Sequence, residues 1–441
     1  MTAAYTDFSR IRLLWPDQHG LARGKYVPGD LAHKGSGFCA TTFGMTYNRE
    51  IIDAPHAYLM EGLKDVHGTP DLGSLRPSWE DDRTGVAVAH LALDHKPYAA
   101  SSRAALEKGI ADWVALGYAP KIGIELEGYL LEPRDDGGWG AYRNPRSMVY
   151  GTGLLGDPSG FLDAVMEMSD ACGFRIESAN VEFDESQFEF TLRYDDALKA
   201  VDDAFVFRVM VREVALAMGL DFTFLGKPFP AIAGSGTHIN FSLTDADGNP
   251  AMADDADPDG VSDLARSCVA GLVEHHCALT AVVASNVNAY RRLQPGTLAG
   301  CWGNWGIDHR NVTNRMPAER GSAMRIESRV GDGAMNVHLA VAGILQAARL
   351  GLVDQHVAPA AYLGDGFDDG GTGAARSATS LERALDDLEA DEPFVEALGS
   401  GLVANYAFNK RHEAMRFAES GGSIDSPELT AFELANYLPY H

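Results

Sequence analysis

The sequence predicts an α+β protein in two parts, a small β-rich domain at residues 1–97 and a larger mixed domain at residues 98–441. Three observations carry this. A chain of 441 residues exceeds the size at which a single hydrophobic core keeps growing. From Ile11 to about Leu93, short apolar runs (IRLLW, GVAVAHLAL) alternate with Gly, Pro and Asp clusters, the pattern of strands on short connections. Beyond the join at Asp94 to Pro97, segments with helical apolar spacing alternate with strand-like ones.

The elements follow in order. Arg103 to Leu116 carries Ala104, Leu106, Ile110, Trp113 and Val114 at helical intervals, and Gly117 stops it. Lys121 to Leu131 reads as a strand with Glu125 and Glu127 on one face. Pro158 to Cys172 is an amphipathic helix, and Phe174 to Ser178 starts another strand. Glu182 and Glu189 stand an odd number of positions apart, so a straight strand would send them to opposite faces. The turn-prone Asp184-Glu185-Ser186 between them can reset the register. Ala197 to Met218 is a long helix, and Phe222 to Leu225 and Thr237 to Leu243 are strands around a Gly-Ser-Gly turn, with His238 and Asn240 on one face. Asp245 to Gly260 is an acidic, solvated excursion, Val261 to Asn286 and Asn336 to Leu352 are helical, Gly364 to Gly373 is too polar and glycine-rich to order itself, and the last seventy or so residues are helices. Met324 to Val330 reads as a strand that sends Arg325, Glu327 and Arg329 to one face. Such a face must meet water or a highly charged ligand.

Composition narrows the partners. Sixty-two acidic against 36 basic side chains leave a formal charge of −26, which excludes nucleic acid and anionic membrane. The five cysteines are scattered without metal-site spacing and read as reduced thiols, so a cytoplasmic location is expected. The start has no apolar signal region, and no stretch is long and apolar enough for a membrane helix.

Glu125, Glu127, Glu182, Glu189, His238 and Glu327 form an oxygen-rich set that needs cations to stay ionised, and such sets favour Mg²⁺ or Mn²⁺ over zinc, two or three ions in all. Arg292, Arg310, Arg315, Arg325 and Arg329 supply charge for a triphosphate and a carboxylate together. Taken singly, each is the ordinary surface or core residue. Two other motifs carry little: Gly151-Thr-Gly-Leu-Leu-Gly156 lacks the preceding strand and following helix of a dinucleotide site, so a loop over the site is the better reading, and Asp245 to Asn249 has Pro250 where a calcium loop needs glycine.

The pieces GIELEGYL (123–130), VEFDESQFEF (181–190), GSGTHINFSL (234–243), AYRRLQPG (289–296), NWGIDHRNVTNR (304–315) and RIESRVGD (325–332) occur in an order and spacing that closely resemble the glutamine synthetase family over nearly the whole chain. The resemblance implies a β-grasp-like N-terminal domain and a catalytic domain whose curved antiparallel sheet is flanked by helices. It implies that Glu127, Glu182 and Glu189 hold one ion, and Glu125, His238 and Glu327 another. Arg292, Arg329 and the Gly234 backbone would grip the α-carboxylate of L-glutamate, Arg310, Arg315 and Arg325 would lie along the phosphates of ATP, and Arg193, Tyr194, Asn240 and Ser242 would sit at the nucleotide end. A homo-oligomeric ring, usually a double hexamer, is the family's assembly.

Departures bear on the second substrate. Ammonia-using members carry an acidic residue on the flap after the Pro-Gly of the arginine motif, whereas this chain places Leu298 there. Cys39 stands where the small domain of those members contributes an aspartate, and Asn240 and Ser186 replace a usual histidine and glycine. Loss of two carboxylates removes the attraction for ammonium, and leucine offers apolar surface at about 25 cal/mol per Å² buried. The expected reaction joins glutamate to a monoamine with an alkyl or aromatic body. The alternatives are ordinary glutamine synthesis from ammonia, a γ-glutamylpolyamine synthetase and a catalytically inactive relative.

Overall fold

The computed structural model describes residues 4–135, 137–367, 369–371 and 373–441. The N-terminal sheet runs in the order Ala22–Pro28, Arg10–Pro16, Thr84–Leu93, Asp65–Pro70, Ser36–Cys39, with the two-residue strands Arg76–Pro77 and Lys96–Pro97 also paired to Thr84–Leu93. Arg10–Pro16 is parallel to Thr84–Leu93 and antiparallel to Ala22–Pro28. Trp15 stacks on Phe43 at 5.0 Å and meets Phe38 edge-on, so the aromatic residues of the early apolar runs fill one face of this sheet.

The second sheet carries the charged strands. Its order is Ile176–Val181, Gln187–Asp196, Ala119–Pro133, Thr237–Thr244, Ile326–Ser328, Asn314–Met316, Trp305–Ile307, with Trp139–Ala141 and Asp221–Thr223 on Ala119–Pro133. Pairing is antiparallel throughout except between Trp305–Ile307 and Asn314–Met316. Along Ala119–Pro133, Ile122, Ile124 and Leu126 are buried while Gly123, Glu125 and Glu127 take the opposite face. The buried face packs on the helices Ser102–Ala115, Phe161–Cys172 and Ala197–Ala217, with Phe161, Phe190 and Phe222 in mutual ring contact. Behind them, Asp263–Glu274 and Val337–Val353 cross so closely that a Cβ on Gly271 would lie 2.1 Å from the Ala347 carbonyl, which only glycine avoids.

Ion pairs tie the N-terminal sheet region to the helices that back the second sheet. Arg103, buried at the start of its helix, pairs with Asp202 at 2.7 Å, with Asp71 of the N-terminal sheet region at 2.6 Å and with Glu107 at 2.9 Å, and His338 bonds the same Asp202 at 2.9 Å.

Three expectations are corrected. The span 261–286 is two helices, Asp263–Glu274 and His276–Val283, broken at His275, whose ring bonds Asp391 at 2.7 Å. Pairing in the 324–330 stretch is confined to Ile326–Ser328, because Met324 caps the short turn Gly321–Ala323 and the Arg329 amide donates to Thr313 at 2.8 Å. The described part of the glycine-rich segment is tied down. Gly364 accepts from His309 at 2.6 Å, Asp365 from Asn311 at 2.6 Å, and Phe367 from the Gly296 amide at 2.8 Å. Residues 368 and 372 of that segment lie outside the described residues. Among the described residues no helix is long and apolar enough to cross a membrane.

Candidate active site

Register brings the sequence-predicted ligands into one row. Glu189 sits opposite Glu127, His238 opposite Glu125, Asn240 opposite Glu327, and Glu327 opposite Arg315, so five adjoining strands place their polar and charged groups side by side. Between Val181 and Gln187 the chain makes the expected turn, with Ser186 at φ +59° and Gln187 N–H donating to Asp184 at 3.2 Å. That turn lets Glu182 and Glu189 belong to one site despite their odd spacing.

The contacts are dense. His238 Nδ1 lies 3.1 Å from Glu125 and 3.7 Å from Glu327, and its Nε2 lies 3.5 Å from Glu127. Ligand atoms of Glu125, Glu189 and His238 lie within 4.8 Å of one another. Gly236 N–H donates to Glu127 at 2.7 Å, and Arg315 donates to Glu327 at 2.8 Å and to Asp308 at 2.9 Å. Arg329 also donates to Glu327.

Electrostatics follow from crowding. Burial drives the Glu189 carboxyl up to about 7, with Glu127, Glu125 and Glu182 adding to the rise and His238 opposing it. Glu182 is raised by burial and then by Glu127. Burial opposes ionisation of Glu125, but hydrogen bonds from His238 and Asn240 outweigh it and hold the carboxyl at about 2. His238 is raised: burial and Arg329 oppose its charge, and the Glu125 and Glu127 carboxylates prevail. A set of five glutamates and one imidazole in so small a region fits hard divalent cations. Among the described residues, Arg315 Nε and Arg329 Nε are buried donors without a protein partner on side chains that touch Glu327, and they fit anionic ligands at the same place.

The arginines divide. Arg292 is buried and donates to the carbonyls of Val330 and Arg329, both at 3.1 Å. A Cβ on Gly236 would lie 2.5 Å from its guanidinium, and one on Gly234 would lie 2.8 Å from the Gly226 carbonyl and 3.0 Å from the Arg292 Cγ, so Arg292 packs directly on this glycine-rich backbone. Arg325 donates to Asn240 at 3.2 Å, and Tyr194 lies over Gly123, where an added Cβ would be 3.4 Å from its own Cβ. Ser242 is on the same strand opposite Lys121. Arg193 and Arg310 are exposed and stand outside the contacts around His238. Leu298 lies in the Pro295–Gly300 loop and is 53% exposed. Cys39 ends its N-terminal strand, with Sγ 3.0 Å from Thr41 Oγ1, and is not among the side chains gathered at His238.

Four residues escaped sequence reasoning. Asp184, considered there only as part of a turn, accepts from the Ala233 amide at 2.5 Å. Tyr129 donates to the Ala233 carbonyl at 2.9 Å and Gln187 to the Gly234 carbonyl at 3.1 Å. These hold the 226–236 loop. Asp332, at the end of the RIESRVGD piece, is fully buried; burial lifts its carboxyl to about 6 and Arg292 opposes the rise. The only sequence signal was its place in that piece.

Known proteins resemble this chain over most of its length. The catalytic-domain model of glutamine synthetase matches residues 99–426. A glutamine synthetase of Halobacterium salinarum is 30% identical over 433 residues, 96% of this chain and 93% of that protein. A glutamate–isopropylamine ligase of a Pseudomonas species is 28% identical, covering 98% and 95% of the two chains. A γ-glutamylethanolamide synthetase of Streptomyces coelicolor is 29% identical, covering 93% and 90%. Among solved structures, ligand-free GmaS superposes with a TM-score of 0.83 at 27% identity over 99% of this chain and 100% of that one.

Proposed function

We propose, from the premise that this chain belongs to the glutamine synthetase family, that it is an ATP-dependent carbon–nitrogen ligase joining the γ-carboxylate of L-glutamate to a monoamine with an apolar alkyl or aromatic body. In this reading a γ-carboxylate oxygen attacks the γ-phosphorus of ATP and ADP leaves. The amine nitrogen then attacks the acyl carbon of γ-glutamyl phosphate, loses a proton, and inorganic phosphate departs.

The residues are assigned the roles that the resemblance to the family implies. Arg292, Arg329 and the Gly234 backbone orient the α-carboxylate. Arg310, Arg315 and Arg325 line the phosphates, and Arg193, Tyr194, Asn240 and Ser242 the nucleotide end. Glu127, Glu182 and Glu189 would hold one Mg²⁺ or Mn²⁺, and Glu125, His238 and Glu327 another. Such ions, two or three in all, neutralise charge that builds on phosphoryl transfer. Arg315 and Arg329 already lie against Glu327, so that carboxylate is oriented before substrates arrive.

The observation that carries the choice of amine is Leu298. From Gln294 to Arg310 the one acidic side chain is Asp308, and it is committed to Arg315 at 2.9 Å. No carboxylate on this loop is free to attract ammonium, while Leu298 offers exposed apolar surface. The relatives that use isopropylamine and ethanolamine support an amine other than ammonia. The Halobacterium enzyme, of comparable identity, favours ammonia as the second reading.

ADP release with L-glutamate and MgATP across ammonium, ethanolamine, alkylamines, anilines and polyamines decides between them. The proposal expects a monoamine to give the highest kcat/KM and Leu298→Glu to raise ammonium use relative to it. Fastest turnover with ammonium overturns it, and a polyamine preference points to the γ-glutamylpolyamine alternative. No Mg²⁺-dependent thermal shift with ATP would mark an inactive relative. A ring, most simply a double hexamer in which Cys39 reaches a neighbour's site, belongs to the same proposal and is read by sedimentation.

A further inference from the structure

The loop from Asn144 to Gly156 is built, although nothing in the chemistry above uses it. Buried Asn144 donates to the carbonyls of Leu155 at 3.2 Å and Gly156 at 2.9 Å. Gly151 N–H donates to Met148 at 2.7 Å and Asp157 N–H to Gly153 at 2.8 Å, so the loop closes on itself. Tyr150 N–H donates to Val181 at 2.9 Å, which stitches it to the end of the strand that delivers Glu182. Tyr150 does so at φ +62°, a costly conformation for an aromatic residue.

What this loop presents is apolar. Met148 is 72% exposed, Tyr150 67%, Leu154 81% and Leu155 65%, and Phe183, directly after Glu182, is 73% exposed. On a chain of formal charge −26, a loop that carries four large exposed apolar side chains and is tied by its backbone one residue from a carboxylate marks a surface that something covers.

We propose that Leu154, Leu155 and Phe183 form the wall that receives the apolar body of the amine, whose nitrogen end lies toward Glu182. This rests on the amine-ligase reading and deepens it, because it names the surface that sets chain-length preference. The occupant is assigned as the amine by continuity: the same hydrogen bond that anchors Tyr150 to Val181 places the loop one residue from Glu182. A preference built this way grows with each methylene the wall covers, by about fourfold for the roughly 0.8 kcal/mol that burying one CH₂ contributes.

The test compares kcat/KM for a series of n-alkylamines from methylamine to hexylamine in the wild type, in Leu154→Ser/Leu155→Ser, in Phe183→Ala and in the conservative Leu154→Met/Leu155→Met. All three positions are exposed, so folding is not at stake. The inference expects a rise with chain length in the wild type and the methionine variant, and a slope at least halved in the serine and alanine variants while the glutamate KM is unchanged. An unaltered slope in those variants overturns the inference alone. Wild type that turns over ammonium and no alkylamine overturns the amine-ligase reading and this inference with it. Disassembly of the serine variant on sedimentation with the slope intact assigns the surface to contact between copies of the chain, and overturns it too.

Discussion

Asn240 donates its side-chain amide to Glu125 Oε1 at 2.9 Å and accepts from Arg325 Nε at 3.2 Å, so one side chain ties a candidate metal ligand to a candidate phosphate ligand. A carboxylate on one side and a guanidinium on the other leave only one orientation for the amide.

Replacing Asn240 by Ala therefore removes a donor from a charged acceptor, an interaction worth about 1.5–3 kcal/mol. The expected result is a KM for MgATP raised about tenfold or more, with the glutamate KM moved less than about twofold. Steady-state kinetics with each substrate varied in turn checks it; equal rises in both KM values would disprove the bridging role.

Glu189 gives a pH prediction with a definite sign. Its carboxyl is raised from 4.5 to about 7 by burial first and then by neighbouring carboxylates. The ion-free fold therefore favours the protonated form, so stability present at low pH is lost as pH rises from about 4.5 through 7. Glu189→Gln should make the ion-free protein more stable at about pH 8, by on the order of 2–3 kcal/mol, and the advantage should vanish below about pH 4.5. Mg²⁺ should stabilise the wild type more than the variant. Denaturation with and without EDTA across that range reads both effects.

His90 reports on the junction between the two sheets. Its ring lies 3.4 Å from Asp71 and 2.7 Å from Glu107, and those hydrogen bonds raise it to about 9 against burial and the nearby Arg103. A raised histidine contributes stability that is complete below its unfolded value of about 6.5 and is lost as pH climbs through 9. His90 is partly exposed, so solvent screening keeps the effect to roughly 1 kcal/mol or less. The stability difference between wild type and His90→Gln should be largest near pH 6 and absent near pH 10, as followed by urea denaturation. A difference that persists at the higher pH would mean that the ring matters for packing instead.

How legible this was from sequence depends on the range of the interaction. Glu125, Glu127 and His238 were visible because period-two alternation is local, and the turn at Asp184 to Ser186 announced itself by residue type. The strand through Glu327 was seen too long, because its ends are set by Thr313 and by the turn at Gly321, which no local pattern reveals. Order in the described part of the 364–373 segment likewise comes from His309, Asn311 and Gly296, all distant in sequence. Asp332 was hidden for a related reason: burial beside Arg292 is a property of the packed fold.

Asp184 is the sharpest case of a long-range contact with a kinetic consequence. It accepts from the Ala233 amide at 2.5 Å, across 49 positions of sequence, and so anchors the loop that carries Gly234. Other ties persist without it. Tyr129 still donates to Ala233 at 2.9 Å, Gln187 to Gly234 at 3.1 Å, and Asn288 still exchanges bonds of 2.8 and 3.0 Å with the Lys227 backbone. Asp184→Ala should thus leave a folded protein with a loosened glutamate grip. A charged acceptor lost from one amide predicts a glutamate KM raised about 10- to 50-fold, with the KM for ATP within about twofold of wild type. Asp184→Asn, which keeps an acceptor oxygen, should recover most of that loss. If instead kcat falls in both variants while every KM stays fixed, Asp184 acts on the chemistry and not on the loop.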